Sequence, residues 1–163
     1  MGAEITGATL LELLPQQEPF RFVDEIVEVD EEHIVSRYTF RPEADFYRGH
    51  FPGNPITPGV LLIEAMAQTG VVALGIYLVA REKGVEEVRR VLTVFTDVTA
   101  EFSGVVRPGD TVTISARKLF FRRNKLRAEV EMHKADGSLV ASATVAGMGV
   151  EADAIRDQGG SGA

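Results

Sequence analysis

The 163-residue chain has no cysteine, which excludes disulfides, thiolate-bound zinc, iron–sulfur clusters and cysteine nucleophiles. Its absence fits a reducing compartment. Positive charge is also in short supply: 17 Lys and Arg face 24 Asp and Glu, for a net charge of −7. That balance argues against a general nucleic-acid binder while leaving room for a local basic patch. The first residues, Met1 to Leu14, lack both a basic start and a long apolar run, so no secretory signal is expected and the cytoplasm is the default location. No uninterrupted apolar span is present either. The most apolar stretch, from Gly59 to Ala80, is long enough to cross a bilayer but carries Glu64, Gln68 and three glycines. It reads as a buried core helix and not as a membrane span.

What is present is the composition of one ordinary folded domain: 45% apolar, 25% charged, with 16 Gly and 7 Pro. A chain of this length buries roughly 70% of the surface its unfolded form exposes, so it can build a core without staples. Residues 1–150 read as a single domain, and 151–163, Gly-rich toward the end, as a disordered tail or linker.

A short helix is expected from Thr9 to Leu14, with Thr9 as N-cap and Glu12 completing a capping box before Pro15 and Pro19. Two strands follow, from Phe20 to Val29 and from Ile34 to Phe40, joined as a hairpin by Asp30-Glu31-Glu32. Residues 41–57 have loop chemistry, and loops of this length are often functional. Thr57 as N-cap and Pro58 at the first helical position then start a helix that runs to about Lys83 and stops at Gly84. Apolar residues cover nearly its whole circumference, so something must wrap it. Four strands supply the wrapping: Val91–Val98, Thr111–Phe121, Leu126–His133 and Leu139–Met148, punctuated at Arg107-Pro108-Gly109-Asp110, Asn124-Lys125 and Asp136-Gly137. The expected class is α+β, an antiparallel sheet around one long buried helix.

Three features in the middle of the chain could carry chemistry. His33 and His133 sit beside charged residues at strand ends and read as surface groups, whereas His50 lies in the loop Arg48-Gly49-His50-Phe51-Pro52-Gly53-Asn54-Pro55. Glu64 interrupts an apolar helix, with Gln68 four residues on and so on the same face. A buried carboxyl is pushed toward neutrality, as a general acid near pH 7 requires, and His50 could be the complementary base. Free N–H groups at Gly59, where no Cβ blocks approach, could hold a developing oxyanion. Base, acid and preorganised donors together suit removal of a proton alpha to a thioester carbonyl.

The run Gly49-His50-Phe51-Pro52-Gly53-Asn54-Pro55-Ile56-Thr57-Pro58-Gly59-Val60-Leu61-Leu62-Ile63-Glu64-Ala65-Met66-Ala67-Gln68 resembles the signature of the 3-hydroxyacyl-acyl-carrier-protein dehydratases, a hotdog-fold family. The resemblance extends from Leu14-Pro15 and Pro19-Phe20 with Val23-Asp24 to Val106-Arg107-Pro108-Gly109-Asp110, and covers roughly residues 9–149. It implies that His50 takes the alpha proton, that the Gly59 amide holds the thioester oxygen, and that protonated Glu64 helps the beta hydroxyl leave as water. Gln68 would orient Glu64, and Phe51, Val60, Met66 and Phe95 would line an apolar acyl tunnel. The implied substrate rides on the phosphopantetheine of acyl carrier protein, with no bound cofactor or metal. The implied assembly is a homodimer with His50 of one subunit facing Glu64 of the other, extended in the family to a trimer of dimers; the exposed strand edges of a single wrapped sheet independently favour pairing.

Arg117, Lys118, Arg122, Arg123, Lys125 and Arg127 form a cluster with no acid between 117 and 127, and removing these six cations leaves 11 against 24 acids, or −13, for the rest of the chain. The cluster is either a solvated hairpin tip or a docking patch for an acidic carrier protein. The chain departs from the family where Gln16-Gln17-Glu18 stands in place of the common His-Arg-Tyr and Glu101-Phe102-Ser103-Gly104 in place of basic residues. Those departures point to a specialised dehydratase of a polyketide- or polyene-type pathway as well as to fatty acid synthesis. A non-catalytic hotdog subunit serving a partner enzyme, and an acyl thioesterase, are the competing readings.

Overall fold

The computed structural model describes residues 4–158. The order is α1 (Gly7–Leu13), β1 (Glu25–Val29), β2 (His33–Thr39), α2 (Phe46–Gly49), α3 (Gly59–Ala67), a π-helical segment (Gln68–Ala73), α4 (Leu74–Lys83), α5 (Val85–Val88), β3 (Val91–Phe102), β4 (Thr111–Arg122), β5 (Lys125–Lys134), β6 (Leu139–Glu151) and α6 (Ala152–Gln158). The six strands form one antiparallel sheet in the order β1-β2-β4-β5-β6-β3. The sheet curls around the Gly59–Lys83 helix, the hotdog arrangement. That helix is long and apolar enough to cross a membrane, but it is mostly buried inside the protein.

Period-two burial along β4 and β5 turns Val112, Ile114, Val130 and Met132 onto the helix, where they meet Leu62, Ala65, Met66 and Leu74. The helix lies so close to the sheet that a Cβ on Gly70 would stand 2.7 Å from Val130 Cγ2. At Gly84 the chain leaves the helix with φ 92°, a conformation that favours glycine, so the expected stop is where it should be. The Asp136-Gly137 and Arg107–Asp110 turns also form as expected, with φ 86° at Gly137 and 88° at Gly109.

Several local expectations are corrected. The N-cap of α1 is Thr6 and not Thr9: the Thr6 hydroxyl accepts a hydrogen bond from the Thr9 N–H at 3.2 Å. Thr57 does not cap α3, because its hydroxyl is held by Tyr47 Oη at 2.6 Å from α2, a helical turn inside the stretch expected to be loop. Residues 20–24 are not strand, since the Gln68 amide takes up the N–H of Phe22 and the carbonyl of Phe20 that a ladder would have used. The β4–β5 turn is Arg123-Asn124, both with positive φ, one residue earlier than expected. Residues Ala152–Gln158 form a helix where a disordered tail was expected; 159–163 lie outside the described residues.

Candidate active site

His50 ends α2, half-buried, in the loop that leads to α3. Its Nδ1 lies 2.8 Å from the carbonyl oxygen of Ile56. A carbonyl only accepts, so Nδ1 carries the hydrogen and Nε2 of the neutral ring is left with its lone pair, the state a general base needs. The ring is stacked on Phe51 at a centroid distance of 4.0 Å. The loop is braced from below by the Tyr47–Thr57 hydroxyl pair and by the Thr57 N–H on Val106 O. Burial raises the Tyr47 phenol, which stays neutral and able to keep that bond.

The α3 N-terminus begins at Gly59. Leu61 and Leu62 donate back to Pro58 O, but the N–H groups of Gly59 and Val60 have no partner among the described residues. They are the donors available to an anionic oxygen. The bare Cα of Gly59 lies against the Phe102 ring, to which an added Cβ would approach within 3.2 Å.

One turn further on, Glu64 is half-buried and not fully buried in the single chain. Its Oε1 accepts from Gln68 Nε2 at 2.9 Å. Gln68 itself is wholly buried, and its orientation is dictated by what flanks it: the Phe22 N–H can only donate, at 2.7 Å to Oε1, and the Phe20 carbonyl can only accept, at 2.9 Å from Nε2. The amide nitrogen must therefore face Glu64. With Oε1 engaged as an acceptor, a proton on Glu64 is carried by Oε2. Gln68 also opens the π-helical segment, and such insertions recur at functional positions.

Glu64 borders a small cavity lined by Gln16, Ala67, Val71, Val72, Thr93 and Phe95. Val71 and Thr93 also line a second, narrow apolar pocket between α4 and the ends of β3, β5 and β6, past Gly75, Leu126 and Gly147. Of the residues expected to line an acyl tunnel, Phe95 borders the Glu64 cavity. Met66 does not: two residues beyond Glu64 it points to the other side of the helix and is buried in the core. Phe51 and Val60 are exposed, and His50 does not line the Glu64 cavity. Sequence reasoning missed Gln16, Val71 and Thr93 as lining residues; only Gln16 left a signal, as part of the departure at 16–18.

The basic cluster is less bare than its sequence suggests. Arg117 pairs with Glu129, Lys118 with Glu32 at 3.0 Å, and Arg127 with Asp97 at 3.0 Å, with Lys125 4.0 Å from the same carboxylate. Glu129 comes from the paired strand β5, Asp97 from β3 across β6, and Glu32 from the β1–β2 turn. Of the six cations of the cluster, only Arg122 and Arg123, at the hairpin tip, have no carboxylate partner among the described residues. His33 and His133 are surface groups beside acids, Glu28 and Asp30 for the first and Glu131 for the second.

Among the described residues, edge strand β3 pairs with β6 on one side and with nothing on the other, and Val94, Phe95, Val98 and Phe102 expose 40–49% of their surface along it. The opposite edge, β1, is only five residues long and carries Glu25 and Glu28.

Comparison with known proteins agrees with this architecture. The FabA-like domain family matches residues 14–146. The 3-hydroxyacyl-[acyl-carrier-protein] dehydratase FabZ of Acetivibrio thermocellus is 36% identical over 86% of this chain and 92% of its own length, and that of Methylobacterium radiotolerans 38% over 90% and 92%. The bifunctional enzyme LpxC/FabZ of Chlorobaculum tepidum is 39% identical over 82% of this chain, which spans 27% of that longer protein. Among solved structures, the dehydratase heterocomplex ApeI:P from Xenorhabdus doucetiae superposes with a TM-score of 0.72 at 13% identity, covering 93% of this chain and 97% of that one. A thioesterase from Haemophilus influenzae superposes with 0.62 at 17% identity over 91% and 93%, so fold alone does not separate the two chemistries. The separation comes from the sequence relatives: the chain belongs to the FabA-like family of 3-hydroxyacyl-acyl-carrier-protein dehydratases.

Proposed function

We propose that this protein removes water from 3-hydroxyacyl thioesters of acyl carrier protein, giving trans-2-enoyl thioesters, in fatty acid or polyketide-type synthesis. The observation that carries the reading is the joint presence of a histidine with a free Nε2, a carboxyl held by a buried amide, and two unpartnered N–H groups at a helix start. His50 Nε2 takes the C2 proton. The electron pair moves toward the thioester oxygen, which the Gly59 and Val60 N–H groups stabilise. Glu64 Oε2 gives its proton to the 3-hydroxyl, the C3–O bond breaks and water leaves as the C2–C3 double bond forms. The substrate's own phosphopantetheine arm carries it, and the reaction needs no redox cofactor.

Two chains are needed in this reading. The open, apolar edge of β3 favours pairing with a second copy, and pairing would bring the partner's loop 50–56 over a Glu64 cavity that this chain's own His50 does not line. A trimer of three such dimers is the family's larger assembly. The acidic carrier protein meets the hairpin tip at Arg122 and Arg123. The long apolar helix is consumed by its own sheet, which supports a soluble protein.

The test is a mass-spectrometric assay of the purified protein on 3-hydroxyacyl carrier thioesters of several lengths, with His50→Ala and Glu64→Gln alongside. Loss of the mass of one water by wild type but by neither variant is expected. Free acid as product would make it a thioesterase, and no turnover by the folded chain would make it a partner subunit.

A further inference from the structure

Gln16 sits between α1 and the 20–24 segment, on a connection fastened by the Gln17 side chain, whose Nε2 donates to Leu14 O at 3.0 Å. Its own side chain reaches the cavity beside Glu64. There its Oε1 is shut off from solvent and accepts no hydrogen bond. The rest of the wall is largely apolar, with Ala67, Val71, Val72 and Phe95, while Thr93 has its methyl close to Gly147. A buried acceptor without a donor is costly, and the cost is recovered when a ligand supplies the missing O–H or N–H.

The proposed reaction contains one such donor. For Glu64 Oε2 to protonate the 3-hydroxyl, that oxygen must accept from the carboxyl, and its own hydrogen must then point elsewhere. With Glu64 Oε1 already taken by Gln68, the buried acceptor on this wall that has no donor is Gln16 Oε1. We propose that Gln16 binds the substrate's 3-hydroxyl, accepting its hydrogen while Glu64 donates to its oxygen. This rests on the dehydratase reading and deepens it by assigning the residue that recognises the leaving group. It adds no covalent step: the hydroxyl hydrogen stays on oxygen and departs in the water. A hydroxyl held at two points is also fixed on one face of the acyl chain, so Gln16 contributes to choosing between the two 3-hydroxy enantiomers. A saturated or enoyl chain leaves Oε1 without a partner and binds less well for that reason.

The probes are two pantetheine amides of equal length, one 3-hydroxyacyl and one saturated acyl, in which the amide replaces the thioester so that no turnover intervenes. Calorimetric binding to the wild type should favour the hydroxy amide by about tenfold, the worth of one hydrogen bond to an otherwise unpartnered acceptor. Gln16→Met, close in volume and apolar, should bring the ratio to within about twofold by weakening the hydroxy amide while leaving the saturated one unchanged or tighter, and should narrow the gap between the enantiomers. A wild type with no preference, or a folded Gln16→Met that keeps it, overturns the role of Gln16. Turnover of the carrier thioester by wild type, measured in parallel, tests the underlying reading separately. Turnover with an unchanged ratio removes only the Gln16 contact, whereas absent turnover removes the dehydratase.

Discussion

Changing Gln68 to Met keeps the volume of the buried side chain and deletes three hydrogen bonds, to Phe22 N–H, Phe20 O and Glu64 Oε1. The three losses are unequal. Phe22 is 2% exposed, so its N–H becomes a buried donor with no partner, at about 1–3 kcal/mol. Phe20 is 49% exposed and Glu64 half-buried, so water can replace much of what they lose. The total is roughly 2–4 kcal/mol, which for a domain of this size lowers Tm by about 5–15 °C. The catalytic effect is separate. A Glu64 carboxyl free to rotate no longer presents Oε2 to one point, and misplacement of about 1 Å can cost on the order of a hundredfold in rate. The expected result is a kcat reduced about 10–100-fold with KM nearly unchanged, measured well below the lowered Tm, beside calorimetric melting. A Gln68→Met protein that melts like wild type would refute the hydrogen-bond argument. One that is destabilised but turns over normally would refute the link from Gln68 to the chemistry.

Three further expectations can be checked independently. Reversing Arg122 and Arg123 to Glu should raise KM for carrier-bound substrate several-fold and leave a small thioester mimic unaffected; equal effects on both would end the docking role of the tip. A Cβ on Gly75 would stand 3.7 Å from Leu126 Cδ2, an ordinary contact, so Gly75→Ala should gain about 0.8–1 kcal/mol of helix propensity, read as a higher Tm, while larger Gly75→Leu should cut turnover of the longest acyl chains by filling the inner cavity. Asp24 accepts from Thr39 N and from both terminal nitrogens of Arg41, and although burial alone would raise its pKa these bonds hold it below the ordinary value. A lowered folded-state pKa stabilises above the unfolded value near 4 and stops doing so as pH falls through the folded one, so Asp24→Asn should cost about 1–2 kcal/mol at pH 7 and progressively less below about pH 4 in denaturant titrations.

The helix that carries Glu64 was legible because its apolar circumference, its Pro58 start and its Gly84 stop are all local signals, and the strands because β-branched runs lie between turn residues. What was not legible is decided by groups distant in sequence. Thr57 has the chemistry of a cap, but Tyr47 takes its hydroxyl. Phe20 to Asp24 has the composition of a strand, but the distant Gln68 takes the N–H of Phe22 and the carbonyl of Phe20. The run 117–127 contains no acids, yet Asp97, Glu129 and Glu32 are set beside it by pairing and a turn. Met66 has the apolar character of a tunnel residue, but a two-residue step along the helix from Glu64 turns its side chain to the opposite side. The unpartnered oxygen of Gln16 depends on a cavity whose walls come from three separate parts of the chain.

The π-helical segment at 68–73 has a genetic reading. A π insertion holds one residue more than the α-helix would, and each α-helical residue accounts for about 100° of rotation. Deleting a single codon within it would let the helix run on as unbroken α from Gly59 to its stop at Gly84, one residue shorter than before. The fold can survive such a deletion, since the apolar character of the segment is nearly uniform. Glu64 and Gln68, however, would be swung by about 100° relative to the apolar side chains of α4, and Gln68 would lose Phe20 and Phe22. A one-codon deletion here is thus a route by which a descendant could keep the shape of this protein and give up its acid, turning an enzyme into a subunit in one genetic event.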